Sequence, residues 1–190
     1  MVRGPNVFMG YYKDPEVTAE TLSGEWLHSG DLGAFDSDGF LNITGRKKDI
    51  IITAGGKNIT PKNLEGSMKN HELIDEAVVI GDRHKYLSAL ITIDAEAGPA
   101  WAAANGEDPS ALHESEKLRA SIQAHIDEMN AHYARVEQIK KFTVLHRNFT
   151  VEDGELTPTL KVKRAKVNDH FADDIEAMYT EDGAQPQARA

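Results

Sequence analysis

Cysteine is absent from the 190-residue sequence, which excludes disulfide bonds, thiolate catalysis and cysteine-ligated zinc or iron–sulfur centres. No apolar run approaches the roughly 18 residues of a transmembrane helix. The N-terminal residues are too often interrupted by glycine and proline to form a signal peptide. The eight histidines lack the spacing of metal ligands, so no metal site is expected, and no G-x-S-x-G nucleophile elbow is present. These absences favour a soluble, cytoplasmic protein.

Positive charge is scarce, because 21 Lys and Arg face 31 Asp and Glu and give a formal net charge of −10. Such an acidic chain is a poor general binder of nucleic acid or anionic lipid. The basic residues nevertheless concentrate in two segments. Residues 44–62 contain five basic residues and one acid, and residues 161–166 contain four basic residues. This distribution favours a site for a polyanionic small ligand, with two solvated runs of charge as the alternative.

Residues 1–45 contain little apolar mass and are predicted to form short strands and turns. Turn signals recur along them, and Lys13-Asp14-Pro15 is one of these turns. Residues 37–39, followed by residues 40–43, predict a β-hairpin. We expect this segment to be the edge of a larger unit.

From residue 50 to about residue 180 the hydrophobic pattern predicts a small α+β domain with the order β-α-β-β-α-β-α. Its first helix begins at Thr60-Pro61, with threonine as the N-cap and proline at the first helical position. The polar tail, residues 181–190, is expected to be frayed. The remaining predicted elements are strands over residues 49–53, 77–81, 87–93 and 141–145, a helix of more than five turns over residues 114–133, and a last helix that carries Val167, Phe171, Ile175 and Met178.

A carboxylate between two glycines, Asp31, is the first candidate for ligand binding. It lies in the segment Trp26-Leu27-His28-Ser29-Gly30-Asp31-Leu32-Gly33. Small neighbours allow a ligand to approach closely, and one carboxylate can accept hydrogen bonds from both vicinal hydroxyls of a ribose. An ordinary turn is the alternative interpretation.

Paired glycines followed by a lysine, Gly55-Gly56-Lys57, form the second candidate. Their backbone amides could face a phosphate, and the lysine adds a point charge. The segment is not a Walker A loop, because that motif requires glycine in place of Ile51 and serine or threonine in place of Asn58. The alternative is a basic turn that leads through a tight loop into the next helix.

A lysine on a threonine- and proline-rich loop, Lys161 in residues 156–161, is the third candidate. Such a lysine could extend into a neighbouring site as a mobile cation. It could equally be a solvated charge or part of a basic targeting run. Nucleic-acid binding through residues 161–166 is disfavoured by the acidic net charge and by the lack of aromatic residues among these lysines.

Taken in order, four segments resemble the motifs of the adenylate-forming superfamily, which includes acyl-CoA synthetases, luciferases and peptide-synthetase adenylation domains. The L-T-P-T-x-K form of the lysine segment is typical of long-chain fatty-acid–CoA ligases. The resemblance implies the last strands of a large N-terminal domain in residues 1–45, a hinge in residues 46–49, and a C-terminal lid domain in residues 50–180. The four segments are residues 4–18, residues 26–33, residues 45–57 together with residues 61–65, and residues 156–161.

The resemblance also implies a role for each candidate. Asp31 would hold the ribose hydroxyls of ATP or AMP, and Arg46 would contact ribose or phosphate. Lys48 would be the hinge residue whose torsions change when the lid rotates. Gly55, Gly56 and Lys57 would line the path of CoA, and Lys161 would bridge the substrate carboxylate and the α-phosphate during adenylation.

The implied reaction joins a fatty acid to CoA at the expense of ATP, through an acyl-AMP intermediate. ATP, CoA and Mg²⁺ would take part, with the Mg²⁺ ligands in a part of the enzyme that this sequence lacks. The partners would be small molecules, with peripheral membrane contact in the full-length protein. We therefore expect the isolated chain to be inactive. The alternative is a non-catalytic nucleotide- or CoA-binding or regulatory module with the same lid fold.

Overall fold

The computed structural model describes residues 1–180, and the tail predicted over residues 181–190 lies outside them. The chain forms two compact units, Met1–Ile50 and a second unit that begins at Ile51. Among the described residues, no helix has the length and apolar character needed to cross a membrane.

The first unit consists of two hairpins and one short helix. Strands β1 and β2 pair antiparallel, and so do β3 and β4. The Asp36 carboxylate stabilises the β3–β4 turn, because it accepts hydrogen bonds from the amides of Asp38 and Phe40 at 3.0 and 2.8 Å. This confirms the predicted hairpin. The elements are α1 (Pro15–Thr21), β1 (Leu22–Ser23), β2 (Trp26–Leu27), β3 (Asp31–Phe35), β4 (Leu41–Arg46) and a 3-10 turn (Lys47–Asp49).

Helix α1 corrects the prediction of a simple turn at Lys13-Asp14-Pro15. Asp14 is its N-cap and accepts a hydrogen bond from the Val17 amide at 3.1 Å, and Pro15 occupies the first turn. An Asp–Pro pair is both a turn signal and a helix-start signal. The short apolar pattern after it did not separate the two.

The second unit is a small mixed α/β structure, which confirms the predicted fold class. Its sheet has the order β7-β8-β9, with β7 and β8 antiparallel and β8 and β9 parallel. Strands β5 and β6 form a separate hairpin. The elements are β5 (Ile51–Ile52), β6 (Asn58–Ile59), α2 (Pro61–Met68), β7 (Ile74–Ile80), β8 (Leu87–Ile93), α3 (Ala97–Asn105), a 3-10 helix (Pro109–Glu114), α4 (Glu116–Asn130), β9 (Ile139–Val144), α5 (Arg164–His170) and α6 (Ala172–Thr180).

The sheet of the second unit lies between two layers of helices. Alternate residues of β7 and β8 point to opposite faces. Val79 and Ile91 belong to one core cluster with residues of α2 and α4. Val78 and Leu90 belong to the other, with residues of α5 and α6. This two-sided burial explains the nearly continuous apolar runs of both strands.

Three predicted elements differ most from the structure, while the strands predicted over residues 77–81 and 141–145 begin two or three residues earlier than predicted. The strand predicted over residues 49–53 shrinks to Ile51–Ile52, because Lys47–Asp49 form a 3-10 turn. The long helix predicted over residues 114–133 is Glu116–Asn130, and the last predicted helix is interrupted at Phe171. Helix α3 escaped prediction because its alanine-rich sequence has no helical periodicity of apolar residues.

Candidate functional site

Asp31 and Arg46 are brought together as cross-strand partners in the β3–β4 hairpin. Arg46 Nε donates to Asp31 Oδ1 at 3.2 Å, and the Asp31 amide donates to Ser29 Oγ at 3.2 Å. The two side chains remain 35% and 64% exposed, with Asp31 the less exposed. A carboxylate acceptor and a guanidinium donor thus lie side by side, which suits the simultaneous recognition of hydroxyl groups and a phosphate.

Lys48 lies in the exposed 3-10 turn that ends the first unit. The Lys47 amide donates to the Gly30 carbonyl at 2.8 Å, which ties this turn to the segment before β3. The boundary between the two compact units follows at Ile50. The hinge role of Lys48 stays a prediction.

The glycine loop, residues 54–57, connects β5 to β6. Gly56 has a positive φ of 73°, and its amide donates to the Thr53 carbonyl at 2.8 Å. The Ala54 amide donates to the His84 carbonyl at 2.9 Å, which attaches the loop to the β7–β8 connection. The loop is therefore a defined turn, with both glycines exposed.

Gly55 has no structural need to be glycine. Its φ is not positive, and a Cβ placed there would meet only Thr53 Oγ1, at 4.0 Å. The fold would accept a side chain at this position. A requirement for glycine at residue 55 would have to come from something that binds outside the loop.

A cavity of about 450 Å³ lies beside the glycine loop, and four basic side chains line it. It has no carboxylate in its lining. Lys140 Nζ donates to Gln138 Oε1 at 2.7 Å, whereas the other three basic residues form no ion pair with any residue of the described chain. We call this the basic cavity, and its basic residues are Lys57, Lys85, Arg135 and Lys140.

Sequence reasoning identified only Lys57 among these four. Lys85 follows β7, Arg135 lies after α4, and Lys140 belongs to β9. They are separated by up to 83 positions, from 57 to 140, and no window of the sequence contains them together. A positive charge in three otherwise unremarkable segments was the only signal.

Lys161 lies on a closed loop, residues 156–162, which we call the lysine loop. Leu156 and Val162 form an antiparallel bridge at its base. Above it, the Thr157 amide donates to the Lys161 carbonyl at 2.8 Å, and the Lys161 amide donates to Thr157 Oγ1 at 3.0 Å. The Lys161 side chain is exposed, and the lysine loop contributes no residue to the basic cavity. The two loops are thus separate features of the second unit.

A metal site is not part of this arrangement. Within residues 1–180, no group of three or more His, Asp or Glu side chains could hold a metal ion. No chemical step is therefore assigned to a metal held by these residues.

A family model that describes the AMP-binding enzyme C-terminal domain matches residues 48–183. The chain belongs to this family. The AMP-binding enzyme C-terminal domain therefore includes the glycine loop, the basic cavity and the lysine loop, which confirms the resemblance drawn from the sequence motifs.

Individual relatives extend the likeness to most of the chain. The long-chain-fatty-acid–CoA ligase FadD15 of Mycobacterium tuberculosis is 47% identical over 96% of this chain and 31% of its own length. A long-chain-fatty-acid–CoA ligase of Mus musculus is 36% identical over 94% of this chain and 28% of its own length. The adenylation domain of a carboxylate reductase from Mycobacterium chelonae has a similar fold, with a TM-score of 0.73 and 28% identity over 90% of this chain and 26% of that one. The chain thus spans less than a third of each of these relatives.

Proposed function

We propose that this chain is the C-terminal part of an ATP-dependent long-chain-fatty-acid–CoA ligase. The intact enzyme would first join the fatty-acid carboxylate to the α-phosphorus of ATP and release pyrophosphate. The CoA sulfur would then attack the acyl carbon, and AMP would leave. The ligase relatives support this proposal, and the basic cavity beside the glycine loop is the observation that carries it.

The basic cavity has the chemistry to bind the phosphate groups of CoA. Four cationic side chains converge on it, and no carboxylate in its lining opposes them. On a chain of net charge −10, such a concentration favours a small polyanion over a general anionic surface. Gly55 lies at the same cavity, so the pantetheine arm could pass over a backbone without a side chain.

The Asp31–Arg46 pair would hold the nucleotide. The ribose hydroxyls would donate to the carboxylate of Asp31, and Arg46 would donate to a ribose or phosphate oxygen. Arg46 already contacts one oxygen of Asp31, so the guanidinium orients the carboxylate before the ligand arrives. This agrees with the roles that the resemblance implies.

Lys161 would act in the adenylation step. Its ammonium group would lie between the substrate carboxylate and the α-phosphate, two anions that repel each other as they approach. A positioned cation lowers the barrier to that approach. Lys48 would allow the lid to rotate, so that the lysine loop serves the first step and the glycine loop the second.

Several components would come from the rest of the ligase. The Mg²⁺ ligands and the fatty-acid pocket would lie outside this chain, so the 190-residue chain should not catalyse ATP–pyrophosphate exchange by itself. We propose a cytoplasmic location, with peripheral contact between the full-length enzyme and a membrane.

The assignment of CoA to the basic cavity is tested by titrating the 190-residue chain with CoA and monitoring the amide chemical shifts by NMR. The Gly55, Gly56 and Lys57 amides should shift first. Lys85→Gln should weaken binding about two- to fivefold, which is typical of losing one exposed ionic contact of about 0.5–1 kcal/mol. Lys117→Gln is the matched control, because Lys117 pairs with Glu107 outside the cavity. Equal weakening by both variants, or shifts remote from the glycine loop, would contradict the assignment.

Activity is tested in a chimera in which this chain replaces the matching segment of the M. tuberculosis ligase. The chimera should convert palmitate, ATP and CoA to palmitoyl-CoA. If the chain binds CoA as expected but a folded chimera remains inactive, the non-catalytic CoA-binding module is the better interpretation.

A further inference from the structure

Glu155 is a fully buried carboxylate at the base of the lysine loop, and its side chain is 0% exposed. Arg147 Nη1 and Nη2 donate to its two oxygens at 2.8 and 2.6 Å. His170 Nδ1 donates to Oε1 at 2.9 Å, and the Thr150 amide donates to Oε2 at 3.0 Å. Each oxygen therefore accepts two hydrogen bonds, which fully occupies the carboxylate.

These four hydrogen bonds join three segments of the second unit. Arg147 follows β9, Thr150 begins the turn before the lysine loop, and His170 ends α5. The Arg147 guanidinium also lies 4.9 Å from the centre of the Phe171 ring and 3.5 Å from Asp153 Oδ2. The carboxylate is therefore held by residues on both sides of the loop in the sequence.

The backbone of Glu155 transmits this anchoring to the loop. Its carbonyl accepts a hydrogen bond from the Lys163 amide at 2.7 Å, directly below the Leu156–Val162 bridge. Within the loop, one backbone hydrogen bond and one bond to the Thr157 hydroxyl, both between Thr157 and Lys161, continue the same narrow hairpin. A displacement of Glu155 would thus displace Lys161.

The opposite end of the loop is fixed as well. Arg164 pairs with Glu65 of helix α2 and donates to the Val79 carbonyl at 3.0 Å. Because both ends are held, little freedom remains for the residues between them. What Glu155 adds is the orientation of the segment that enters the loop.

The burial of the Glu155 carboxylate favours a geometric role for this residue over a purely stabilising role. A buried ion pair seldom stabilises a protein more than well-packed apolar residues of similar volume. A bidentate arginine–carboxylate pair, however, fixes both distance and direction. The combination is suited to holding a loop in one position.

We infer that Glu155 is a positioning residue that orients the lysine loop so that Lys161 reaches the reacting carboxylate and phosphate. This inference rests on the proposed function for its catalytic part. Arg147 and His170 act through Glu155 and have the same role to a lesser degree.

The kinetic test uses the chimera and measures its two half-reactions separately. Glu155→Gln keeps the side-chain volume but removes the charge. It should slow ATP–pyrophosphate exchange with palmitate about 10- to 100-fold, the effect expected for a misplacement near 1 Å. The turnover of preformed palmitoyl-AMP with CoA should change less than about twofold, because Lys161 takes no part in that step.

Ile122→Ala is the control for general destabilisation, since Ile122 is buried in the core cluster that also contains Val79 and Ile91. It should affect both half-reactions equally or neither of them. His170→Gln leaves the Arg147–Glu155 pair intact and should give the Glu155→Gln pattern with a smaller effect. Equal slowing of both half-reactions by Glu155→Gln and His170→Gln would overturn the inference.

Hydrogen exchange on the 190-residue chain tests the anchoring independently of catalysis. Glu155→Gln should accelerate exchange of the Lys161 and Lys163 amides by a larger factor than exchange of the amides of β7 and β8. Acceleration at Lys161 and Lys163 that does not exceed the acceleration in β7 and β8 would overturn the inference, even if the chimera were active. An inactive wild-type chimera would contradict the proposed function but not the anchoring of the lysine loop by Glu155. The exchange measurement tests that anchoring by itself.

Discussion

The two units of this protein are stabilised in different ways. Within the described residues, every buried apolar side chain lies at or after Ile51. The first unit instead exposes large apolar side chains, with Phe35 75% and Phe40 70% accessible. It is held by backbone pairing and by local caps such as Asp14 and Asp36. Residues 1–50 thus have defined secondary structure with almost no buried apolar core of their own.

The difference also divides the candidate functional residues. Asp31 and Arg46 lie on a hairpin without a core beneath it. The glycine loop and the lysine loop belong to the unit that contains the core. Stability and the proposed nucleotide binding should therefore respond to mutation in different units.

Truncation of a core side chain should produce the largest effect. Ile122→Ala removes a fully buried side chain from α4 and should lower the free energy of unfolding by about 2–5 kcal/mol. Phe35→Ala should change it by less than about 0.5 kcal/mol, because Phe35 is exposed.

Urea unfolding can follow each unit separately, because the two tryptophans, Trp26 and Trp101, lie in different units. Trp101→Phe leaves a reporter in the first unit, and Trp26→Phe leaves one in the second. The first unit should unfold at lower urea. Coincident transitions, or an equal loss of stability in Phe35→Ala and Ile122→Ala, would remove the distinction between the units.

Acid pH should have the next largest effect, and it should act on the second unit through protonation of Glu155. Hydrogen bonds from Arg147 are the main cause that lowers the pKa of Glu155 from 4.5 to about 2, with burial opposing and His170 and Thr150 assisting. A lowered carboxyl pKa stabilises the fold above the unfolded value. Above pH 4.5, ionised Glu155 should therefore contribute about 3 kcal/mol to the free energy of unfolding. This contribution is lost as the pH falls from 4.5 towards 2.

Asp36 provides the matched carboxylate in the first unit. Hydrogen bonds, chiefly from the Phe40 amide, lower the pKa of Asp36 in the exposed β3–β4 turn. The unfolding free energy reported by Trp101 should depend on acid pH. Glu155→Gln should weaken that dependence much more than Asp36→Asn does. A larger effect of Asp36→Asn on that signal would reverse the comparison.

Protonation of His84, in the second unit, should have the smallest of these effects. Burial lowers the pKa of His84 below 6.5, and the ring stacks on Tyr179 with centroids 3.6 Å apart. The unfolded chain binds a proton more readily than the folded chain, so stability should decline as the pH falls below 6.5.

His84→Phe keeps an aromatic ring beside Tyr179 and removes the contribution of His84 to the pH dependence of stability. The Trp101 transition should lose part of its sensitivity to pH just below 6.5, because burial also lowers the pKa of His71 in the same unit, while the Trp26 transition stays the same. An unchanged slope in His84→Phe would show that His84 does not titrate differently on folding.

Elements with strong local signals were predictable from the sequence. The apolar runs of β7 and β8 and the Thr60-Pro61 start of α2 were identified because their patterns are local. Although the start of α2 is confirmed, the Thr60 side chain makes no capping hydrogen bond. Helices α1 and α3 were missed because Asp14-Pro15 also signals a turn and because alanine gives no apolar periodicity.

The candidate site was predictable only where its residues were close in sequence or resembled a motif. Pairing in the hairpin places Arg46 opposite Asp31, two residues that the motifs had already identified. Lys85, Arg135 and Lys140 meet at the basic cavity only through tertiary packing. Glu155 looked like an ordinary acidic loop residue, since its burial depends on Arg147 and His170 from neighbouring segments.

The separate roles proposed for the two loops are tested most directly by comparing Lys161→Ala with Gly55→Leu in the chimera. Loss of a cation that stabilises the adenylation transition state typically costs about 10²–10³-fold. Lys161→Ala should therefore slow ATP–pyrophosphate exchange by that factor and leave the turnover of palmitoyl-AMP with CoA nearly unchanged. Gly55→Leu should do the reverse, because the fold has space for a side chain there and only bound CoA would meet it. If Lys161→Ala slows both half-reactions equally, Lys161 is a structural residue and the two loops do not divide the reaction between them.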